Sequence, residues 1–314
     1  MKSLRLYKPL LLLFAFSITA FAHGRTETVR FQSKLINATL PYNVILPVDY
    51  DASPATRYPV LYLLHGLTGH YSDWLTRTNV ADYASNYRLI VIMPEGNDGW
   101  YTDSSTLATD KYESYILKEL IPDVQQRYRT IEARYGRAIA GLSMGGFGAI
   151  KFGLKSPATF VFAASMSGAF WVTRLSDKDV GAARWQDSMK LFGPVDSETR
   201  HNNDLFEIIE KLPPGRLPSL PYFYFDCGTE DSQLIFPSNR QLAALMAEKK
   251  IPHEFRQLPG DHSWGYWDQQ VQEVLKIAAT KLRMPPAETS PVGNPGSKGQ
   301  PLGAQLHGGQ VWRA

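Results

Sequence analysis

One serine in the stretch GRAIAGLSMGGFGAIKFGL, residues 136–154, has the surroundings of a nucleophile. Gly141-Leu142-Ser143-Met144-Gly145 is a G-x-S-x-G sequence. It follows an apolar run expected as a strand (Arg137 to Ala140) and opens a helical pattern from Gly146 onward. A strand that turns sharply into a helix lifts the serine hydroxyl above the sheet. The helix N-terminus behind it favours negative charge developing there. The nearby glycines let strand and helix approach without clashing side chains.

A serine hydroxyl is a weak nucleophile until a base takes its proton. In this topology the acid and then the histidine follow the serine in the chain. His201, His253, His262 and His307 lie downstream. His201 sits in a polar segment, His253 begins a strand and His307 falls in a Pro/Gly-rich tail. His262, in LPGDHSWGYW, occupies a loop between a strand and the last helix, where an imidazole can hang over Ser143. The stretch YFYFDCGTEDSQL offers Asp226, Glu230 and Asp231 as the acid. Asp226 is still in or at the end of its strand and is expected to fix the loop. Asp231 lies past the Gly228 turn, within reach of His262 to hold its tautomer, and is the favoured choice. Asp261 adjoins His262, and sequence neighbours rarely face each other well enough to pair.

A developing oxyanion needs two backbone donors. One is expected from the residue after the nucleophile, Met144. The other is expected from the loop after an earlier strand, in YLLHGLTGHYSDW, where the Leu67 N–H follows His65-Gly66. His65 is expected to order that loop. Trp100 and Tyr101 in NDGWYTDS, Trp171, and Trp264 and Tyr266 after His262 are either pocket walls or core aromatics, whereas Trp267, at the start of a helix, is expected as core.

The elements that must position these groups alternate along residues 23–284. TVRFQSKL and ATLPYNVILPV show the alternation of half-exposed strands, an antiparallel start. YPVLYLLHG, RLIVIMPEG, RAIAGLS, FVFAASMSG and LPYFYFDCG are short apolar runs suited to strands buried on both faces of a parallel sheet, and HEFRQLPG is one more strand. Helical patterns fall at 112–128, 145–154, 239–249 and 267–282. This alternation predicts an α/β fold with a mostly parallel sheet, an antiparallel N-terminal start and helices on both faces. Residues 170–216 interrupt the rhythm, as a lid or binding insertion or as a plain helical excursion.

The remaining features bound the class. Residues 1–22, MKSLRLYKPLLLLFAFSITAFA, combine Lys2, Arg5 and Lys8 with an apolar run and Ala20-Phe21-Ala22, the pattern of a secretory signal peptide. The run is short for a membrane anchor, so no stable span is expected once it is removed. The formal net charge is +3, and the leader holds three basic residues and no acidic ones. The mature chain is then near neutral, with no basic footprint for nucleic acid. Cys227 is the only cysteine, expected as buried packing in an apolar run. Residues 285–314 have the composition of a disordered tail. No metal-ligand spacing or phosphate loop is present, so neither metal nor cofactor is expected.

Together, LYLLHGLTGHYSDWLTRTNV, IVIMPEGNDGWYTDS, IAGLSMGGFGA, DCGTEDSQL and PGDHSWGYWD resemble the esterase-D-like branch of the α/β-hydrolases, over residues 40 to 282. That branch includes S-formylglutathione hydrolases, feruloyl and acetylxylan esterases, tributyrin esterases and mycolyltransferases. The first two blocks are most similar to tributyrin esterases, which cleave short acyl chains. The resemblance implies a triad of Ser143, Asp231 and His262, with Leu67 and Met144 as oxyanion donors. S-formylglutathione hydrolases usually carry a cysteine where this chain has Gly69. The expected activity is that of an exported, periplasmic or secreted serine carboxylesterase, acting on short-chain acyl or carbohydrate-linked esters through an acyl-enzyme. An acyltransferase using the same triad, or a non-catalytic carbohydrate-binding protein on this fold, is the alternative.

Overall fold

The computed structural model describes residues 24–284; the leader and tail readings, with His307, lie outside the described residues. Eight strands form one sheet: β1 (Thr26–Ser33), β2 (Ala38–Ile45), β3 (Val60–Leu64), β4 (Ile90–Pro94), β5 (Arg137–Leu142), β6 (Phe162–Met166), β7 (Tyr222–Gly228) and β8 (His253–Leu258). Their order is β1-β2-β4-β3-β5-β6-β7-β8. β1 pairs antiparallel with β2, and β2 with β4. Every later pairing is parallel. Each strand read from the sequence is present, including the antiparallel start.

The period-2 geometry of strands divides the interior into two layers. In β3, Val60, Tyr62 and Leu64 pack into one apolar cluster, and Leu61 and Leu63 into the other. Burial on both faces explains why these strands read as unbroken apolar runs. Ten helices are assigned among the described residues: α1 (Asp73–Arg77), α2 (Val80–Ala84), α3 (Tyr112–Tyr115), α4 (Ile121–Arg127), α5 (Met144–Lys155), α6 (Asp177–Phe192), α7 (Glu198–His201), α8 (Leu205–Glu210), α9 (Ile235–Glu248) and α10 (Trp264–Lys281). A π-helical turn, Ile116–Leu120, joins α3 to α4. Residues of α4, α5, α8 and α9 fill the first cluster, and those of α2 and α10 the second, so helices cover both faces.

Three boundaries differ from the sequence expectation. α5 begins at Met144, directly after the serine. α9 begins at Ile235 rather than Asn239, because the Ser232 hydroxyl accepts the Ile235 N–H (3.2 Å) and starts the helix earlier. α10 begins at Trp264 rather than Trp267, because Ser263 caps it by accepting from the Tyr266 N–H. Trp267 therefore sits inside the first turn.

Residues 170–216 are helical. α6 is broken at Gly181 (φ 74°), and α8 packs on α5 and α9. Phe192, Leu205, Phe206 and Ile209 are buried in the first cluster. Buried Arg200 donates to the carbonyls of Gly193 (2.7 Å) and Thr173 (3.0 Å), tying the segment to itself. Among the described residues, no helix is long and apolar enough to cross a membrane.

Candidate active site

The chain leaves β3 for β4 on one side and reaches β5 on the other, so the strand order reverses beside β3. Loops at the carboxyl ends of strands diverge at such a point and leave a crevice. The HGLTG loop follows β3, and Ser143 follows β5. Ser143 has φ 52° and ψ −114°, a left-handed conformation that costs a non-glycine residue about 1–3 kcal/mol. The surroundings hold it there. Its N–H donates to Met166 O (2.9 Å), and its carbonyl accepts from Phe147 N (3.0 Å) and Ala169 N (3.1 Å). The tight corner demands glycine twice. A Cβ on Gly141 would lie 2.5 Å from the backbone of Gly145, and one on Gly145 would lie 2.6 Å from the carbonyls of Leu64 and His65.

His262 Nε2 is 3.0 Å from Ser143 Oγ, and His262 Nδ1 is 3.0 Å from Asp231 Oδ2. The Asp231 side chain is 0% exposed and that of His262 is 32% exposed. The carboxylate is thus enclosed while the imidazole faces the crevice. An ionised Asp231 can only accept, so the proton on this side belongs to Nδ1 and leaves Nε2 free to take the serine proton. Asp231 Oδ1 also accepts the Ser232 N–H (2.6 Å).

Two loops had to meet for this contact. The Thr229 N–H donates to Leu258 O (2.8 Å) and the Glu230 N–H to Gly260 O (2.9 Å), lacing the end of β7 to the end of β8. A Cβ on Gly228 would lie 2.1 Å from Gly260 O. The ring of Trp267 meets that of His262 edge-on at 4.9 Å, so a residue expected as core also orients the imidazole.

Of the two expected oxyanion donors, Met144 follows Ser143 in the chain, and Leu67 follows Gly66, which packs against Ser143. Met144 is the first residue of α5, where backbone N–H groups point out of the helix. Gly66 lies against the nucleophile: a Cβ there would be 3.4 Å from Ser143 Cβ. The carbonyl of Gly66 accepts from the Gly69 N–H (3.1 Å) and from His65 Nδ1 (2.8 Å). His65 Nε2 accepts the Gly96 N–H (2.8 Å), which assigns the ring proton to Nδ1. In a planar trans peptide the N–H points opposite the carbonyl, so holding Gly66 O also fixes the Leu67 N–H. His65 is fully buried and orders the loop, as the sequence suggested.

Sequence reasoning missed the braces on this loop. Glu95, nearly fully buried at the end of β4, accepts from Tyr71 N (3.3 Å) on one side and Asn97 N (2.8 Å) on the other. Asp98 Oδ1 accepts from Thr68 N (2.7 Å), where the backbone is left-handed (φ 60°). A carboxylate closing an otherwise apolar strand, IVIMPE, was the available signal.

The other acids of the sequence stretch lie apart from this line. Asp226 is fully buried and accepts from the Tyr266 hydroxyl (2.8 Å). Burial pushes its carboxyl up to about 7, against the pull of the Tyr266 and Tyr224 hydroxyls and Arg256. Glu230 is exposed. Cys227 is fully buried, and burial first, then the Asp231 and Asp226 charges, pushes its thiol up. His201 pairs with Glu207 (2.7 Å) on the helical segment, and His253 Nδ1 lies 2.8 Å from Ile251 O. Among the described residues, no group of His, Cys, Asp or Glu could hold a metal ion.

A doubly covered, mostly parallel sheet with a strained serine at its switch point defines an α/β-hydrolase. Solved structures agree. The FphF serine hydrolase of Staphylococcus aureus superposes with TM-score 0.71 at 25% identity, covering 82% of this chain and 99% of that one. A ferulic acid esterase superposes with TM-score 0.72 at 25% identity, covering 83% and 98%. The chain belongs to the Esterase family, whose model, described as "Putative esterase", matches residues 33–277. It is 26% identical to an acetyl esterase of Caldicellulosiruptor saccharolyticus, over 79% of this chain and 96% of the relative. It is 32% identical to an esterase of Mycobacterium tuberculosis, over 74% of this chain and 54% of that longer relative. The chain is therefore a carboxylic ester hydrolase of the esterase-D-like group.

Proposed function

We propose that this chain is an exported serine carboxylesterase that cleaves esters of small acyl groups, short-chain or carbohydrate-linked, through an acyl-enzyme. The observation that carries the reading is the unbroken line from Ser143 Oγ through His262 to Asp231, with both contacts at 3.0 Å. Ser143 Oγ attacks the ester carbonyl as His262 Nε2 takes its proton. The carbonyl oxygen becomes an oxyanion facing the Leu67 and Met144 N–H groups. His262 then gives its proton to the departing alcohol, leaving an ester on Ser143. Water, deprotonated by the same imidazole, releases the acid and restores the serine. Asp231 stabilises the imidazolium and holds the ring in place.

Acetyl and ferulic acid esterases among the similar proteins support a small acyl group on an alcohol. The leader-like residues 1–22 support export. The test is a panel of p-nitrophenyl acetate, butyrate, longer-chain and feruloyl esters with wild type and Ser143→Ala, alongside fluorophosphonate labelling. Wild type turns over and labels; Ser143→Ala loses at least about a thousand-fold in kcat and does not label. Full turnover in the variant removes Ser143 from the chemistry. Free acid as the product in the presence of glycerol or a sugar assigns hydrolysis rather than transfer. Loss of residues 1–22 from protein recovered outside the cytoplasm, read by mass, checks export.

A further inference from the structure

Lys151 interrupts the apolar run of α5, whose other charged residue, Lys155, is its last. It lies on α5, two turns beyond Ser143, and its side chain is 0% exposed. Burial draws its ammonium down to about 8, with Glu113 opposing, so near neutral pH it keeps three protons to donate. Each has an acceptor: Tyr101 O at 2.7 Å, Thr102 Oγ1 at 2.6 Å and Glu113 Oε2 at 3.1 Å. The Thr102 hydroxyl in turn donates to Trp100 O (3.0 Å). One ammonium thus holds two consecutive carbonyls, one directly and one by relay.

Those carbonyls belong to a strained corner. Trp100 and Tyr101 both have φ 51°, a left-handed backbone that non-glycine residues keep only where the surroundings impose it. The corner carries two groups toward the site. The Tyr101 hydroxyl donates to His65 O (3.1 Å), at the root of the loop bearing Leu67. The half-buried Trp100 ring packs edge-on against Phe147 (5.9 Å) and Phe192 (6.5 Å). Phe147 is one helical turn from Ser143, and its N–H donates to Ser143 O. The indole therefore packs between the first turns of α5, the helix that opens at Ser143, and Phe192 of the helical segment 170–216. A structural ion pair would need only Glu113, which Lys155 already meets at 2.8 Å; the other two donors of Lys151 go to the corner.

We propose that Lys151 is a positioning residue that locks the Trp100–Tyr101 corner and thereby sets Trp100 as the wall that selects small acyl groups. The proposal rests on the esterase reading above. Lys151 touches no reacting atom; it acts through Trp100.

The test compares Lys151→Met, Trp100→Gly and the double variant, with kcat and KM for p-nitrophenyl acetate, butyrate and octanoate. Methionine keeps most of the stem without the donors, and glycine accepts φ 51° without strain. In each single variant the acetyl-over-octanoyl preference in kcat/KM is expected to shrink by about ten-fold. The double variant should shift no further, since both changes remove the same wall. A Lys151→Met enzyme with wild-type preference overturns the proposal, as does a double variant in which the two shifts multiply. Should Lys151→Met fail to fold by calorimetry, Thr102→Val removes the relay to Trp100 O, and with it one acceptor of Lys151, while keeping the direct bond to Tyr101 O. A smaller shift in the same direction supports the proposal, and unchanged preference in that folded variant overturns it. A wild type that neither turns over any ester nor labels with fluorophosphonate is a different failure: it overturns the esterase reading, and the role of Lys151 with it.

Discussion

Asp231 is enclosed and bonded to His262 Nδ1, while the imidazole it holds is open to the crevice. Its charge and its acceptor geometry do separate work. An amide in its place keeps the shape but can present an N–H to Nδ1, which puts the imidazole proton on Nε2, where the serine needs a base. Asp231→Asn should therefore lower kcat by about a thousand-fold or more, with a melting temperature close to wild type. Steady-state kinetics with p-nitrophenyl acetate, with calorimetry as the control, checks this; wild-type kcat would move the acid elsewhere. Strain at Ser143 belongs to the same scale. Its left-handed backbone is held by three hydrogen bonds to neighbouring backbone, so the hydroxyl is fixed before substrate arrives.

At the scale of elements, the site is an agreement among four loop ends. β3 and β5 deliver the HGLTG loop and the serine; β7 and β8 deliver the acid and the histidine. The second pair depends on a backbone approach that no side chain can enter. Gly228→Ala would drive a Cβ against Gly260 O, 2.1 Å away, and must part the ends of β7 and β8. We expect destabilisation of about 1–3 kcal/mol and a fall in kcat larger than that in KM, because the Asp231–His262 contact stretches while the acyl side of the site stays put. Denaturant unfolding and kinetics on the same preparation read both. Unchanged values would mean that the loops tolerate separation and that the contact is not set by this approach.

For the whole molecule, Asp226 couples folding to pH. It is sealed between β7 and α10, and its folded pKa of about 7 lies above the ordinary aspartate value. Between those values the folded state holds a proton that the unfolded chain has released. Its stabilising contribution is full below about pH 4 and is lost as pH rises through about 7. The distance between about 7 and the ordinary aspartate value bounds the loss at about 4 kcal/mol. Asp226→Asn keeps a neutral group that can accept from Tyr266 and removes the titration. The melting temperature of wild type should thus fall more steeply from pH 5 to pH 8 than that of the variant. Parallel slopes in the two proteins would show that Asp226 releases its proton without cost to folding.

The sequence by itself determined the strands, their burial on both faces, the antiparallel start, and the identities of Ser143, His262 and Asp231 as a candidate set. Apolar runs, glycines at corners and side chains of rare chemistry are local, and local signals survive in one dimension. It favoured Asp231 over Asp226 and Glu230 from its place past the Gly228 turn, but it could not show where each of the three carboxylates points. Tertiary structure decided that direction: Asp226 goes under α10, Glu230 to solvent and Asp231 to the imidazole. It also decided the nature of residues 170–216, whose burial depends on partners far away in the chain. The roles of Glu95, Asp98 and Lys151 were hidden for the same reason, although Glu95 stands out as a carboxylate closing an apolar strand. Each is an ordinary charged residue until a distant backbone brings it an N–H or a carbonyl, and only the packed sheet makes those meetings.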